Sequence, residues 1–214
     1  MRYSLAIFDL DGMLADSFPW FLGVLNTVAR EFRFQEVAEG DIEPLRHGSV
    51  HEVLRKLEVP LWKEPRIARR MRAMKRADMA RIPLFPGVEA MLRALADAGL
   101  TLALVSSDNE ANVRDMLGDA NAALISHFAC GASLFGKAAK FKRAMKLAGA
   151  APGQTIAIGD EIRDIEAART AGIACGAVTW GYAASAALRA RKPDVMFDRM
   201  KDIVAMLTIA GDGS

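Results

Sequence analysis

Six short apolar runs, at residues 5–8, 101–105, 124–128, 155–158, 173–178 and 195–197, recur along the chain with helical stretches between them. Apolar side chains at consecutive positions leave a strand no face for water, which is the pattern of parallel strands covered by helices on both sides. The helices carry matching punctuation. Pro86-Gly87 opens one whose stripe Val88, Met91, Leu92 and Leu95 ends at Gly99; 137–148 stops at Gly149, and 164–171 stops at Gly172. The fold expected is α/β, with a parallel sheet of at least five strands.

From about Ala15 to Pro83 the alternation breaks. No strand pattern appears there, only helical periodicity interrupted at Gly40, Pro44, Gly48, Pro60 and Pro65. This reads as an all-helical cap over 15–83, inserted after the first strand into a core made of 1–14 and 84–214. Its basic excess lies in 66–81, where Arg66, Arg69, Arg70, Arg72, Lys75, Arg76 and Arg81 face Asp78 alone. A solvated outer helix face is the simplest reading of such a run, with steering of an anionic substrate as the alternative.

The chemistry concentrates at strand ends. The first run leads straight into Asp9-Leu10-Asp11-Gly12, placing two carboxylates at the C-terminal edge of the sheet, where open α/β sheets bind ligands. Neighbouring carboxylates repel, so they stay ionised only around a cation, unless one is protonated for use as an acid. Gly159-Asp160 repeats the device after the fourth run, and Asp164 follows one helical turn on. Short oxygen ligands of this kind suit Mg²⁺. Ser106-Ser107 closes the second run with hydroxyls for a phosphoryl group, and Asp108 and Asn109 are placed to cap the next helix. Lys137, just after Gly136, could neutralise acids and phosphate together.

In order and context, Asp9-Leu10-Asp11-Gly12, Ser106, Lys137 and Gly159-Asp160 with Asp164 resemble the four motifs of the haloacid dehalogenase-like hydrolase superfamily. The helical insertion is similar to that of its phosphoglycolate-phosphatase-like branch. The resemblance implies a Rossmann-like core and a Mg²⁺-dependent phosphatase of small phosphate monoesters, phosphoglycolate-like or sugar phosphates. It implies Asp9 as nucleophile and metal ligand, and Asp11 as general acid and base that also gives its backbone carbonyl to the metal. Asp160 is implied as the third protein ligand, with Asp164 orienting a metal-bound water or Lys137. Ser106 and Lys137 would hold the phosphoryl group, with Ser107 and Gly12 beside them. Met13 stands where the family usually has Thr or Val. Arg46, in the cap, is the candidate substrate contact.

Other readings are weaker. Residues 131–138 nearly spell a P-loop, but Ala138 lacks the hydroxyl that would bind Mg²⁺. His47 and His51 share a helical spacing without a third ligand, and His127 reads as a packed residue beside a strand. Dehalogenation needs neither Asp11 nor a metal. A phosphomutase of the β-phosphoglucomutase type would use the same residues, and a non-catalytic scaffold would bind a phosphorylated ligand through the cap. Lys plus Arg number 28 against 26 Asp plus Glu, which offers no whole-chain attraction for nucleic acid or membrane. Cys130 and Cys175 fit reduced thiols, and no run approaches the roughly 20 apolar residues of a membrane span. The setting expected is cytoplasmic.

Overall fold

A computed structural model describes residues 2–131 and 136–209. Six parallel strands, β1 (Leu5–Asp9), β2 (Thr101–Val105), β3 (His127–Ala129), β4 (Thr155–Gly159), β5 (Ala174–Val178) and β6 (Val195–Phe197), form one sheet. Their order is β3-β2-β1-β4-β5-β6. The chain therefore reverses its direction of travel across the sheet between β1 and β4, the place where such sheets open a crevice at their C-terminal edge.

Strand parity explains what covers each face. Ala6 and Phe8 join Leu102, Leu104, Ile156 and Ile158 in one buried cluster, packed against Met91 and Leu95 of α5 (Val88–Asp97) and Ile203 and Leu207 of α10 (Met200–Thr208). Leu5 and Ile7 join Ala103, Val105 and Ala157 on the other face. Phe141 and Ala144 of α7 (Gly136–Ala148) and Ile165 and Ala168 of α8 (Ile162–Ala171) cover that face. Asp9, two residues past Ile7, points to the same side by the period of two. The first turns of α7 and α8 carry Lys137 and Asp164.

The third apolar run is a strand only in its last part. Pairing begins at Ala103↔His127, and Leu124 and Ile125 precede it in a connection whose Ile125 is buried against the first cluster. An apolar run signals burial, and here a loop supplies it. Before this connection runs α6 (Glu110–Ala122), capped by Asn109, whose side chain accepts from the Asn112 N–H at 2.9 Å. Helix α9 (Ser185–Ala190) joins β5 to β6.

Between β1 and α5 the chain makes α1 (Phe18–Phe32), α2 (Ile42–Arg46), α3 (Val50–Lys56) and α4 (Glu64–Asp78), with no strand among them. These helices enclose a small core of Val37, Leu57 and Val59, with Leu25, Phe34, Val53 and Ile67 packed on it. The insertion leaves and returns at one place, because the Asp16 N–H donates to the Pro83 carbonyl and the Phe85 N–H to that of Leu14, both at 2.9 Å. Among the described residues no helix is long and apolar enough to cross a membrane.

Phe8 is fully buried in the central strand. Phe8→Ala is expected to cost about 3–5 kcal/mol of stability, read as a lower urea midpoint. A midpoint unchanged within error would show that this strand is not the centre of the core.

Candidate active site

Asp9 ends β1 with 6% of its surface exposed. The Lys137 ammonium lies 2.6 Å from its Oδ2 and also pairs with Asp164 Oδ1, so one cation from α7 bridges carboxylates of β1 and α8. Burial of Asp9 raises its pKa against the pull of Lys137. For Lys137 burial opposes the charge, yet Asp164 and Asp9 outweigh it and the pKa rises. Asp164 is likewise desolvated, but Lys137 and Arg163 hold it below the ordinary range.

Asp160 follows β4 and is fully buried. Its Oδ2 accepts from the Tyr182 N–H at 2.8 Å, while its Oδ1 is buried with no hydrogen-bond partner among the described residues. Desolvation, followed by the charges of Glu161, Asp164 and Asp9, lifts its pKa well above the usual value. Asp164 Oδ2 accepts from the backbone N–H groups of Asp160 and Glu161 at 3.1 and 3.0 Å, which ties the turn to the first turn of α8. Oxygens of Asp9, Asp160 and Asp164 all lie within 4.8 Å of one another. Asp9, Asp160, Glu161 and Asp164 face two cations, Lys137 and Arg163. The excess of two negative charges and the orphaned Asp160 oxygen fit a divalent, oxygen-preferring ion.

Two glycines make room for these carboxylates. Gly12 turns at φ +75°, and a Cβ there would strike the Asp160 carboxylate and the Tyr182 ring. A Cβ on Gly159 would strike the Asp164 carboxylate. Gly12 thus lies beside the cluster.

Asp11 pairs its carboxylate with the cap. Both its oxygens accept from the Lys75 ammonium, at 2.5 and 2.6 Å, and the same ammonium reaches Asp108 Oδ2 at 2.6 Å. Lys75 is 7% exposed. Its burial disfavours the charge, but Asp11 and Asp108 outweigh that and raise its pKa. The reading of 66–81 as a solvated face therefore fails at Lys75, because the end of α4 docks over the sheet edge. The sequence carries one clue, a lysine among seven basic residues of which five are arginines besides Arg81. Asp108, expected as a helix cap, is drawn off to Lys75 and leaves the cap to Asn109.

Ser106 is buried at the end of β2, and its Oγ accepts from the Asp108 N–H at 3.1 Å; Ser107 is exposed beside it. Lys140, missed in the sequence, donates to the carbonyls of Ser106 and Gly131 at 2.5 Å each and braces the two loops. Arg46 reaches the core, although its donors go to the protein: Nε to the Tyr182 carbonyl at 2.9 Å, one terminal nitrogen to that of Gly181 at 3.0 Å and the other to Glu43 at 2.9 Å. In this arrangement Arg46 fastens α2 to the loop after β5. His47 lies 3.8 Å from Glu43 and His51 is exposed, so the pair joins no metal cluster among the described residues. His127 begins β3. Residues 132–135 of the P-loop-like stretch lie outside the described residues.

Lys75→Ala would leave Asp11 and the buried Asp108 facing each other unpaired. The expected cost is on the order of 3 kcal/mol, with faster amide exchange in α4. Unchanged exchange would show that this contact does not hold the cap down.

A family description of haloacid dehalogenase-like hydrolases matches residues 6–178. A phosphoglycolate phosphatase of Synechococcus elongatus is 30% identical over 203 residues, 94% of this chain and 96% of its own. A predicted phosphoglycolate phosphatase from Haemophilus somnus has a similar structure, with a TM-score of 0.75 at 25% identity over 96% of this chain and 98% of that one. A haloacid dehalogenase-like family protein from Streptococcus pneumoniae shares the fold, with a TM-score of 0.80 at 21% identity over 96% of this chain and 98% of that one. With most of its length matched, this chain belongs to the haloacid dehalogenase-like hydrolase family.

Proposed function

We propose that the protein is a Mg²⁺-dependent phosphatase of small phosphorylated metabolites, acting through an aspartyl-phosphate on Asp9. The observation that carries this reading is the convergence of Asp9, Asp160 and Asp164 around one point, with Lys137 between two of them. The name shared by the relatives supports phosphate monoesters as the substrate class. The two cysteines are unpaired, which suits a cytoplasmic setting.

Asp9 and Asp160, with the Asp11 carbonyl, would hold the ion, which supplies charge neutralisation when bound. Asp9 would attack phosphorus in line while the bond to the departing alcohol breaks. Lys137, Ser106 and the backbone around Ser107 and Gly12 would take up charge on the other phosphoryl oxygens. Asp11 would protonate the leaving oxygen and then accept a proton from the water that cleaves the aspartyl-phosphate. For that, Lys75 must release Asp11, so the cap contact and the acid-base group are coupled. Asp164 would orient Lys137.

Asp9→Asn is expected to lower phosphate release by about a thousandfold or more, and EDTA to abolish it. Retained turnover in either case rejects the mechanism.

The ion also links to stability. Asp9 and Asp160 keep their protons to higher pH when folded, so the metal-free protein loses stability as pH rises above the ordinary carboxylate range of about 4. Asp164, held low, acts oppositely and loses its contribution on acidification below that range. Mg²⁺ at 100 times its dissociation constant should add about 2.7 kcal/mol at neutral pH and less near pH 5, read as a shift in Tm. Asp160→Asn should remove most of this shift; a full shift in that variant would place the ion elsewhere.

A further inference from the structure

A cavity of about 370 Å³ lies between the cap helices and the sheet edge. Its inner walls are hydrocarbon: Leu25 of α1, Leu45 of α2, Val53 and Leu54 of α3, and Ile67 and Met71 of α4. At the other end the lining changes to Asp11, Ser107, Asp108 and Lys75, so the chamber opens directly onto the acid-base group. A volume of this size falls within the range of small-molecule sites, about 300–1,000 Å³. It is more than twice the roughly 150 Å³ that admits benzene to an apolar cavity.

Two of the cations on the chamber, Arg46 and Lys75, are already engaged within the protein. Arg46 spends its donors on Glu43, Gly181 and Tyr182, and Lys75, on releasing Asp11, keeps Asp108 as a partner. A sugar would bring hydroxyls against leucine and valine and lose water without replacement. Arg72 also lines the chamber and has no acceptor among the described residues, which makes a carboxylated ester such as phosphoglycolate the rival occupant.

Resting on the phosphatase reading, we propose that the cap chamber selects phosphate monoesters whose leaving alcohol carries a hydrocarbon chain or ring, the phosphoryl group at Asp9 and the hydrocarbon among Leu25, Val53, Leu54 and Met71. Burial of each methylene then strengthens binding by about fourfold at most.

Non-hydrolysable phosphonates separate binding from turnover. Calorimetric titration of the Mg²⁺-loaded protein with propylphosphonate, heptylphosphonate and 3-phosphonopropionate is expected to show heptylphosphonate binding roughly a hundredfold tighter than propylphosphonate. Met71→Trp and, separately, Val53→Phe fill the chamber from two helices and should each reduce that ratio to below about tenfold. Equal affinity for the two alkyl compounds overturns the proposal, as does tightest binding of 3-phosphonopropionate or a ratio unmoved by either folded variant. Phosphate release from ethyl phosphate, hexyl phosphate and phosphoglycolate is measured alongside. Tight heptylphosphonate binding with no release from any ester overturns the phosphatase reading and leaves the chamber assignment standing. Release from phosphoglycolate alone does the reverse.

Discussion

Carboxylates withdrawn from water at close range repel one another, and a fold that gathers them must supply opposing charge in the same space. Asp9, Asp160, Glu161 and Asp164 meet this condition at one sheet edge, with the Lys137 ammonium set between Asp9 and Asp164 and Arg163 bonded to Glu161 at the rim. The rest of the structure serves that gathering. The strand order puts β1 beside β4, so that two distant stretches of chain end at one crevice. Gly12 and Gly159 clear the space that the carboxylates of Asp160 and Asp164 occupy. Lys140 ties the loop after β2 to Gly131 and so steadies the approach from which Lys137 enters.

Several polar contacts join the cap to this edge. Lys75 binds Asp11 and Asp108, Arg46 binds the carbonyls of Gly181 and Tyr182, and the hydroxyls of Ser17 and Tyr182 lie 3.1 Å apart. The Tyr182 ring packs edge-on to Phe18, with centroids 4.9 Å apart, while its N–H holds Asp160. One residue therefore touches both the entry to the cap and a carboxylate of the acid cluster. Charge pairs of this kind exchange more readily than an apolar interface, because water and ligand groups can replace either partner.

Much of the acid cluster was legible in one dimension. An apolar run predicts a buried strand, its end predicts a sheet edge, and acids at that edge predict a charged site; Asp9, Asp11 and Asp160 follow from those steps, and Asp164 from its place one helical turn past Asp160. Lys137 was legible only through its position after Gly136 and at a helix start. Lys75 reads as solvated because a basic run on a helix signals exposure, and a lone lysine among arginines is too weak a mark to show that it turns inward. Arg46 reads in sequence as a substrate contact, whereas in the structure its donors go to Glu43 and to the carbonyls of Gly181 and Tyr182, which lie some 135 residues away in sequence. Tyr182 and Lys140 had no local signal: Asp160 is held by the Tyr182 backbone N–H, a group almost every residue has, and the Lys140 ammonium binds backbone carbonyls of other segments.

By itself, the sequence determined what is local: which segments are buried on both faces, where they end, and which charges stand at those ends. These follow from hydrophobic periodicity and from the side-chain direction that each backbone conformation imposes. The tertiary structure alone decided which charges meet. Asp11 turned to a lysine 64 residues on rather than to its neighbour Asp9, and the cap helices left a hydrocarbon chamber above it. Ion pairing and void space depend on the relative placement of packed elements to within an ångström or so, and no pattern along one strand or helix encodes that distance.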